Sequence, residues 1–593
     1  MMKKYNKICV VTLLLLISAC SKDFLELTDP NVLTTGNFWS SSEDVEFAVV
    51  TLYPIFNSVW DGAPEASNLR SDAVALAATD FAHFNQYYTF VNTPVNGVSD
   101  EFWYNAYTTI FRANTILKEM ESIEFKDSGQ KDLLTAEVLF FRGAAYFRLA
   151  HMYGLVPIVL EPAESEEEFN NPKAETLEEV WDQAITDLQA AKAGLPEDHD
   201  LIGRVTKGAV MGFLGKLYLY RAGYLGDNSY YALAANELKE IIDLGKYGLV
   251  EEWNDNFTSE NENNEESLYE AQYDVFPGSY DETQPRPGNA SVPGISGEIV
   301  SKPSEWIFVE MTKELDIDGE MDIRLLHTLY FDGGLPLYGV DFVDLGDALV
   351  CGSGDGGDGG DGGDGDIECW EEDLTGEEGF WVEIVEEEEP GAEITEVLLY
   401  GCWDPATGDE FEHIIVTIDK GCRLRFDAWE EELLVNGCDV SSDGGNFDGW
   451  FRKYLPVDLN CYLDGPAVNN ERILRYADVL LMYAEALVMS GGSLTDAADV
   501  VNQIRQRANL TEMIFADNNE LMEEIEHQRI MEFVMEGTRY YDLIRWGTLV
   551  ETLEAHGFPD GASNIDFDKH KYFPIPLGEV NSNESLDQNP LWE

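Results

Sequence analysis

Positive charge is scarce in this chain: 37 Lys and Arg stand against 113 Asp and Glu in 593 residues, a formal net of -76. Nucleic acid is bound by neutralising its phosphates with Lys and Arg, so this balance argues against a nucleic-acid partner. Histidine is sparse too, at 8 residues, and none sits in an H-E-x-x-H pair, which leaves zinc hydrolysis without its ligands. No two cysteines stand at C-x-x-C spacing and no G-x-S-x-G nucleophile elbow occurs. No metal and no cofactor is therefore expected. After the first twenty residues no apolar run is long enough to span a bilayer. Core-forming residues, by contrast, are plentiful. Apolar residues make up 44% and aromatics 12%, with Trp 13, Tyr 27 and Phe 30, which excludes a chain disordered throughout. The length suits about two to four domains' worth of core.

The first residues read as an export signal. Lys3, Lys4 and Lys7 form a positive head, and 9–19 is an apolar run broken only by Thr12 and Ser18. It ends Ile17-Ser18-Ala19-Cys20, which resembles the lipobox of bacterial lipoproteins. That resemblance implies a signal peptide at 1–19 and lipidation at Cys20, so that the protein is anchored rather than spanning.

Cysteine use points to an inserted module at 342–447. Six cysteines (Cys351, Cys369, Cys402, Cys422, Cys438, Cys461) cluster in or just beyond it, an even number that reads as disulfide candidates of undetermined pairing. The module carries 31 acidic residues against three basic ones, and 354–366 contains only Gly and Asp. Such a tract reads as a solvated linker. It satisfies G-x-G-x-x-G by composition alone, and it lacks the EF-hand pattern of a calcium loop. Runs at 380–385, 394–400, 413–418 and 423–429 are strand-like, so a small β-rich, disulfide-stapled, acidic insertion is expected.

Elsewhere the pattern is helical. Apolar residues recur three and four apart in 133–153 at Leu134, Val138, Phe141, Ala145, Leu149 and Met152, ahead of Gly154 and Pro157. Similar stripes mark 206–224, 231–244, 475–490, 495–508 with Thr495 as N-cap, 519–535 and 540–546. Pairs of such helices with small residues at the contact, such as Gly215, suggest tetratricopeptide-like units. The expected fold is mainly α, a helical-pair scaffold with long loops at 77–100 and 257–304.

Several blocks, in order, resemble the SusD/RagB family of outer-membrane nutrient-binding lipoproteins of Bacteroidetes. They begin with Cys20-Ser21-Lys22-Asp23-Phe24-Leu25-Glu26 and Asp29-Pro30. Next come Trp103, Tyr107, Ile110, Arg112, Ala113 and Asn114, then Ala136-Glu137, Phe140, Arg142, Tyr146-Phe147 and Leu149, running to Tyr153-Gly154 and Val156-Pro157. The C-terminal third supplies Arg475-Tyr476-Ala477-Asp478, Tyr483-Ala484-Glu485-Ala486, Arg529, Glu532-Phe533, Glu536-Gly537, Arg539-Tyr540-Tyr541-Asp542-Leu543 and Arg545-Trp546-Gly547. It closes on Pro574-Ile575-Pro576 and Gln588-Asn589-Pro590. The resemblance implies SusD-like regions at 20–341 and 448–593 on either side of the insertion, with four tetratricopeptide-like units. It implies a SusC-like TonB-dependent transporter as partner, an oligosaccharide ligand, lipid anchorage facing the cell exterior, and no catalytic activity. Acidic residues soon after Cys20 resemble the surface-export signal of such lipoproteins.

Ligand residues follow from chemistry. A sugar ring offers an apolar C–H face and a rim of hydroxyls, so its site needs flat rings beside hydrogen-bonding groups. Phe81, His83, Phe84, Asn85, Tyr87 and Tyr88 supply both in one stretch, with Arg70 and Asp72 upstream and Tyr280 and Trp306 in a second region. Trp103, Tyr107 and Phe111, at helical spacing, read as core. Glu532 and Glu536, one turn apart, suit either a glycosidase pair or ion pairs with Arg529, Arg539 or Arg545; the alternation of acids and arginines favours ion pairs. No catalytic residue is assigned. A peptide or other nutrient is the alternative ligand, and net acidity favours a neutral glycan.

Overall fold

The computed structural model describes residues 38–60, 67–76, 82–163, 165–273, 301–331, 381–384, 394–400, 413–419, 423–427, 449–451, 453, 470–556 and 564–593. The leader, Cys20, Phe81, Tyr280, the Gly/Asp tract and all six clustered cysteines lie outside the described residues.

Two short helices open the fold, α1 (Ser42–Val50) and α2 (Leu52–Trp60), followed by α3 (Ala82–Tyr88). The scaffold then builds from α4 (Gly97–Glu119), α5 (Ser128–Met152), α6 (Leu177–Gly194), α7 (Lys207–Leu225) and α8 (Ser229–Leu244). Each packs on its neighbour in sequence. Helices α7 and α8 approach closely at Gly215, where a Cβ would run into Leu238. Asp127, Thr176 and Thr206 cap α5, α6 and α7, each accepting a backbone N–H of the first turn.

The C-terminal block holds α9 (Glu305–Met311), α10 (Ile323–Thr328), α11 (Tyr476–Ser490), α12 (Leu494–Arg507), α13 (Asn518–Phe533), α14 (Arg539–Trp546) and α15 (Leu549–Ala555). Helix α11 packs on both α8 and α12. One apolar core therefore runs from Val45 to Leu586. A smaller cluster, including Val74, Ile307, Leu325, Met531 and Val534, lies under the candidate site. Gly491 ends α11 at φ 71°, a left-handed turn that Gly adopts without steric cost.

Three expectations need correction. Helix α12 starts one residue before Thr495, and its cap is Ser493, whose hydroxyl accepts the Asp496 N–H at 3.1 Å. The stretch 77–100 is not one long loop, because α3 and the start of α4 fall within it; Tyr87 turns inward and is fully buried, which anchors α3. Trp103 is core at 3% exposure, whereas Phe111, two turns on, is 46% exposed on the outer face of α4.

Short strands tie distant segments together: β1 (Val74–Leu76), β2 (Ser267–Ala271), β3 (Ser301–Pro303) and β4 (Leu329–Phe331). In the insertion, β5 (Trp381–Ile384), β6 (Ile394–Tyr400), β7 (His413–Asp419) and β8 (Arg423–Asp427) form an antiparallel meander in the order of the chain. The strand-like runs of the sequence pair in register, Val382 with Leu399, Val397 with Val416 and Ile418 with Leu424. Strand β9 (Gly449–Phe451) pairs with β4, and β10 (Glu471–Arg475) with β2.

Candidate ligand-binding site

Antiparallel pairing of β1 with β3, Val74 opposite Pro303 and Leu76 opposite Ser301, brings the segment after Arg70 beside the segment before Trp306. Ser304 fixes the junction. Its hydroxyl donates to the Asp72 carbonyl at 2.6 Å and accepts the Ile307 N–H, capping α9. Trp306, the second residue of α9, is thereby held half-buried at the surface.

The Trp306 ring stacks on the ring of His556, with centroids 4.0 Å apart and planes 12° from parallel. The Asp72 carboxylate bonds His556 Nδ1 at 2.9 Å and takes a two-pronged bond from Arg539, Nε at 2.9 Å and Nη2 at 2.8 Å. Burial opposes the charge on Asp72, but Arg539 and His556 outweigh it and hold the carboxyl down at about 2. Arg539 lies over Trp306 at 5.5 Å and over Trp546 at 5.9 Å. Glu526, half-buried nearby, is pushed up to about 7 by burial, with the Arg539 charge pulling the other way.

Helix α3 supplies the other flank. Phe84 and Tyr88, one turn apart, are half-buried against the same small apolar cluster as Trp306 and Leu76. His83 is exposed, its ring 4.3 Å from that of Phe84, and Asn85 is half-buried. His83, Phe84, Asn85, Tyr88 and Trp306 thus reach the surface.

Arg70, Asp72 and Tyr87 do not. Arg70 is 0% exposed, donates to Tyr540 Oη at 2.9 Å and Asn92 Oδ1 at 2.7 Å, and is enclosed by the rings of Tyr87, Phe90, Tyr540 and Phe573. Buried guanidinium and carboxylate groups need partners, and here those partners are inside the protein. These three residues support the wall from behind. His556 and Arg539 were not singled out for this site by sequence reasoning. His556 stands 484 positions from Asp72 and carries no local motif, so no sequence signal links them.

Glu532 stands in the last turn of α13 and Glu536 in the turn beyond it, and both carboxylates are held by cations. Glu532 is fully buried; its carboxylate accepts from Arg324, Arg475 and Arg507 and from the Trp253 indole, while Glu536 takes Arg475 and Lys453. The ion-pair reading holds, but with partners other than those expected. Arg529 bonds Asp478 and Asp542, Arg539 bonds Asp72, and Arg545 bonds Glu485 and Asp542. Spacing along α13 and α14 favoured neighbours in sequence, whereas the tertiary packing supplies arginines from β10, α10 and α12.

The chain is thus a mainly helical scaffold of packed pairs that offers half-buried rings beside hydrogen-bonding side chains. The profile described as the SusD family matches residues 464–592, and one described as "Starch-binding associating with outer membrane" matches 23–219. The chain belongs to the SusD/RagB family. It is 26% identical over 280 residues to a SusD-like protein of Bacteroides ovatus, a match covering 46% of this chain and about half (50%) of that one. It is 24% identical over 613 residues to SusD-like protein P25 of Formosa agariphila, covering 99% of this chain and 98% of the other. In fold it is similar to a SusD superfamily protein of Bacteroides vulgatus, with a TM-score of 0.68 at 24% identity over 94% of this chain and 100% of that one. It is also similar to a laminarin-binding SusD-like protein, with a TM-score of 0.59 at 21% identity over 93% and 99%. Among the described residues no helix is long and apolar enough to cross a membrane.

Proposed function

We propose that the protein is a cell-surface lipoprotein, anchored through Cys20 to the outer membrane and facing the exterior. In this reading it binds oligosaccharide without cleaving it and passes it to a SusC-like TonB-dependent transporter. The observation that carries the reading is Trp306: one face of its ring lies on His556, and Asp72 and Arg539 brace that support. Such a platform suits the C–H face of a sugar ring. His83, Asn85 and Tyr88 provide hydrogen-bonding groups for its hydroxyls, and Phe84 a second ring. Phe81 and Tyr280 are kept as ligand residues on their chemistry alone. The starch-binding description of the matching family profile and the laminarin-binding structural neighbour support a neutral glucan, and the net charge of -76 disfavours anionic polymers.

Calorimetry against neutral glycans, sulfated or uronate glycans and peptides tests the proposal. A neutral oligosaccharide is expected to bind best, and Trp306→Ala to weaken it about tenfold. Peptides alone binding tightly, a charged polymer binding best, or released product would each overturn it.

A further inference from the structure

A second cavity, distinct from the Trp306 surface, opens between the turn before α7, the segment after α8 and the start of β2. Its volume is about 330 Å³, at the small end of the range of ligand pockets, about 300–1,000 Å³. It has room for one ring rather than a chain.

One wall is Tyr247, half-buried, with Lys246 over its ring at 5.5 Å. Its hydroxyl lies close over the start of α7, where a Cβ on Gly208 would push the ring aside. The opposite rim carries Leu201 and Ile202, 56% and 80% exposed. The inner end is polar. His199, Arg204 and Tyr269 line the cavity, and Glu137 stands behind them with Tyr53 donating to it at 2.6 Å.

That inner end has unused hydrogen-bonding capacity. Arg204 Nε and Nη1, the Tyr269 hydroxyl and Glu137 Oε1 are buried without a hydrogen bond, and Arg204 Nη1 reaches Glu137 only as an ion pair at 3.3 Å. The His199 ring accepts the Leu201 N–H through Nδ1 and leaves Nε2 3.9 Å from Glu137 Oε1, too far for a direct bond. Buried polar groups ordinarily find partners. Guanidinium donors, a carboxylate acceptor and a hydroxyl that does both match a ligand whose groups also donate and accept, namely hydroxyls.

Charge narrows the class further. The charges at the cavity are largely paired, Asp198 with Lys246, Glu270 with Arg472 and Arg204 with Glu137, so neither sign is left in excess to hold an ionic ligand. We infer that this cavity is an accessory site for a single neutral, polyhydroxylated ring of monosaccharide size, set face-on to Tyr247.

Ligand-observed NMR on the unmodified protein, with neutral hexoses and pentoses as probes, tests the inference without any mutation. Binding at about millimolar strength is expected. Tyr247→Ala should weaken it about tenfold, and Ile202→Trp, which crowds the mouth from an exposed position, should weaken it too. Trp306→Ala should leave it unchanged, which separates this site from the proposed oligosaccharide surface. No saccharide signal, amino acids bound in preference, affinity unchanged in both cavity variants, or loss of binding in Trp306→Ala would overturn the inference.

Discussion

Around Glu532, one carboxylate meets three guanidinium groups, and none of the four side chains is more than 4% exposed. Around Asp72, a carboxylate at 0% exposure meets Arg539 at 10% and His556 at 26%. The pairing chemistry is the same and the outcome differs. The first cluster is closed on every side, so its charges tie β10, α10, α12 and α13 to one another. The second is closed behind and open in front, so its charges fix the angle of an imidazole, and through it the ring of Trp306. Openness, rather than the presence of paired acids, separates a site from a staple.

Removing one member of the closed cluster should have the largest effect. Glu532→Gln keeps the volume but removes the anion that three buried guanidinium groups share, leaving them only Asp322, Glu266 and Glu536, at a cost of about 3–5 kcal/mol, read as a lower urea midpoint. Glycan affinity per folded molecule should stay unchanged. A stable variant with altered affinity would erase the distinction between the two clusters.

Asp72→Asn should cost less, about 2–3 kcal/mol near neutral pH, and should also loosen the Trp306 platform. The pH dependence has a defined direction. The Asp72 carboxyl sits at about 2 in the folded protein, below the ordinary value near 3.9, so its contribution is full above pH ~4 and lost as pH falls through about 2. Asp478, held at about 2 by Lys216 and Arg529 against its burial, adds a second contribution of the same sign. Acid denaturation followed by tryptophan fluorescence should be shallower over that window in Asp72→Asn.

Glu526 titrates the opposite way. Burial raises its carboxyl to about 7, so its contribution is full below about 4.5 and lost as pH rises through 7. Glu526→Gln should flatten the stability profile between pH 5 and 8, with a gain below about 2 kcal/mol at the upper end, because the group keeps some solvent. A steeper profile would mean that Arg539 pairs with Glu526 more than with Asp72, and would open the second cluster further than the distances suggest.

Much of the scaffold was legible because periodicity is local. The 133–153 stripe became α5, Gly491 and Gly547 ended α11 and α14, and the four strand-like runs of the insertion paired in order. The partners of buried charges were not legible. Arg475 reaches Glu532 across 57 positions, and Asp72 meets Arg539 across 467, distances at which only the packed core decides who meets whom. Tyr87, in the aromatic stretch at 81–88, was misread for the same reason. Composition marks it as rich in rings, but only the α3 register turns Tyr87 inward against Phe573 and leaves Phe84 and Tyr88 at the surface.

The smallest expected effect asks how far the closed cluster depends on the end of a helix. Helix α12 begins at the Ser493 cap and carries Arg507 at its far end, about four turns away. Losing a side-chain cap leaves an orphan N–H in the first turn and frays that turn, but it does not reach the last. Ser493→Ala should therefore cost about 1 kcal/mol, with the acid limb that Glu532 and Arg507 share left in place. Thr495→Ala, one residue into the helix, should cost less, since the Thr495 hydroxyl caps nothing there. Equal losses in the two variants would return the cap to Thr495. A loss in Ser493→Ala as large as that of Glu532→Gln would show that α12 moves as one piece, and that the closed cluster is held from its outer end as well as from within.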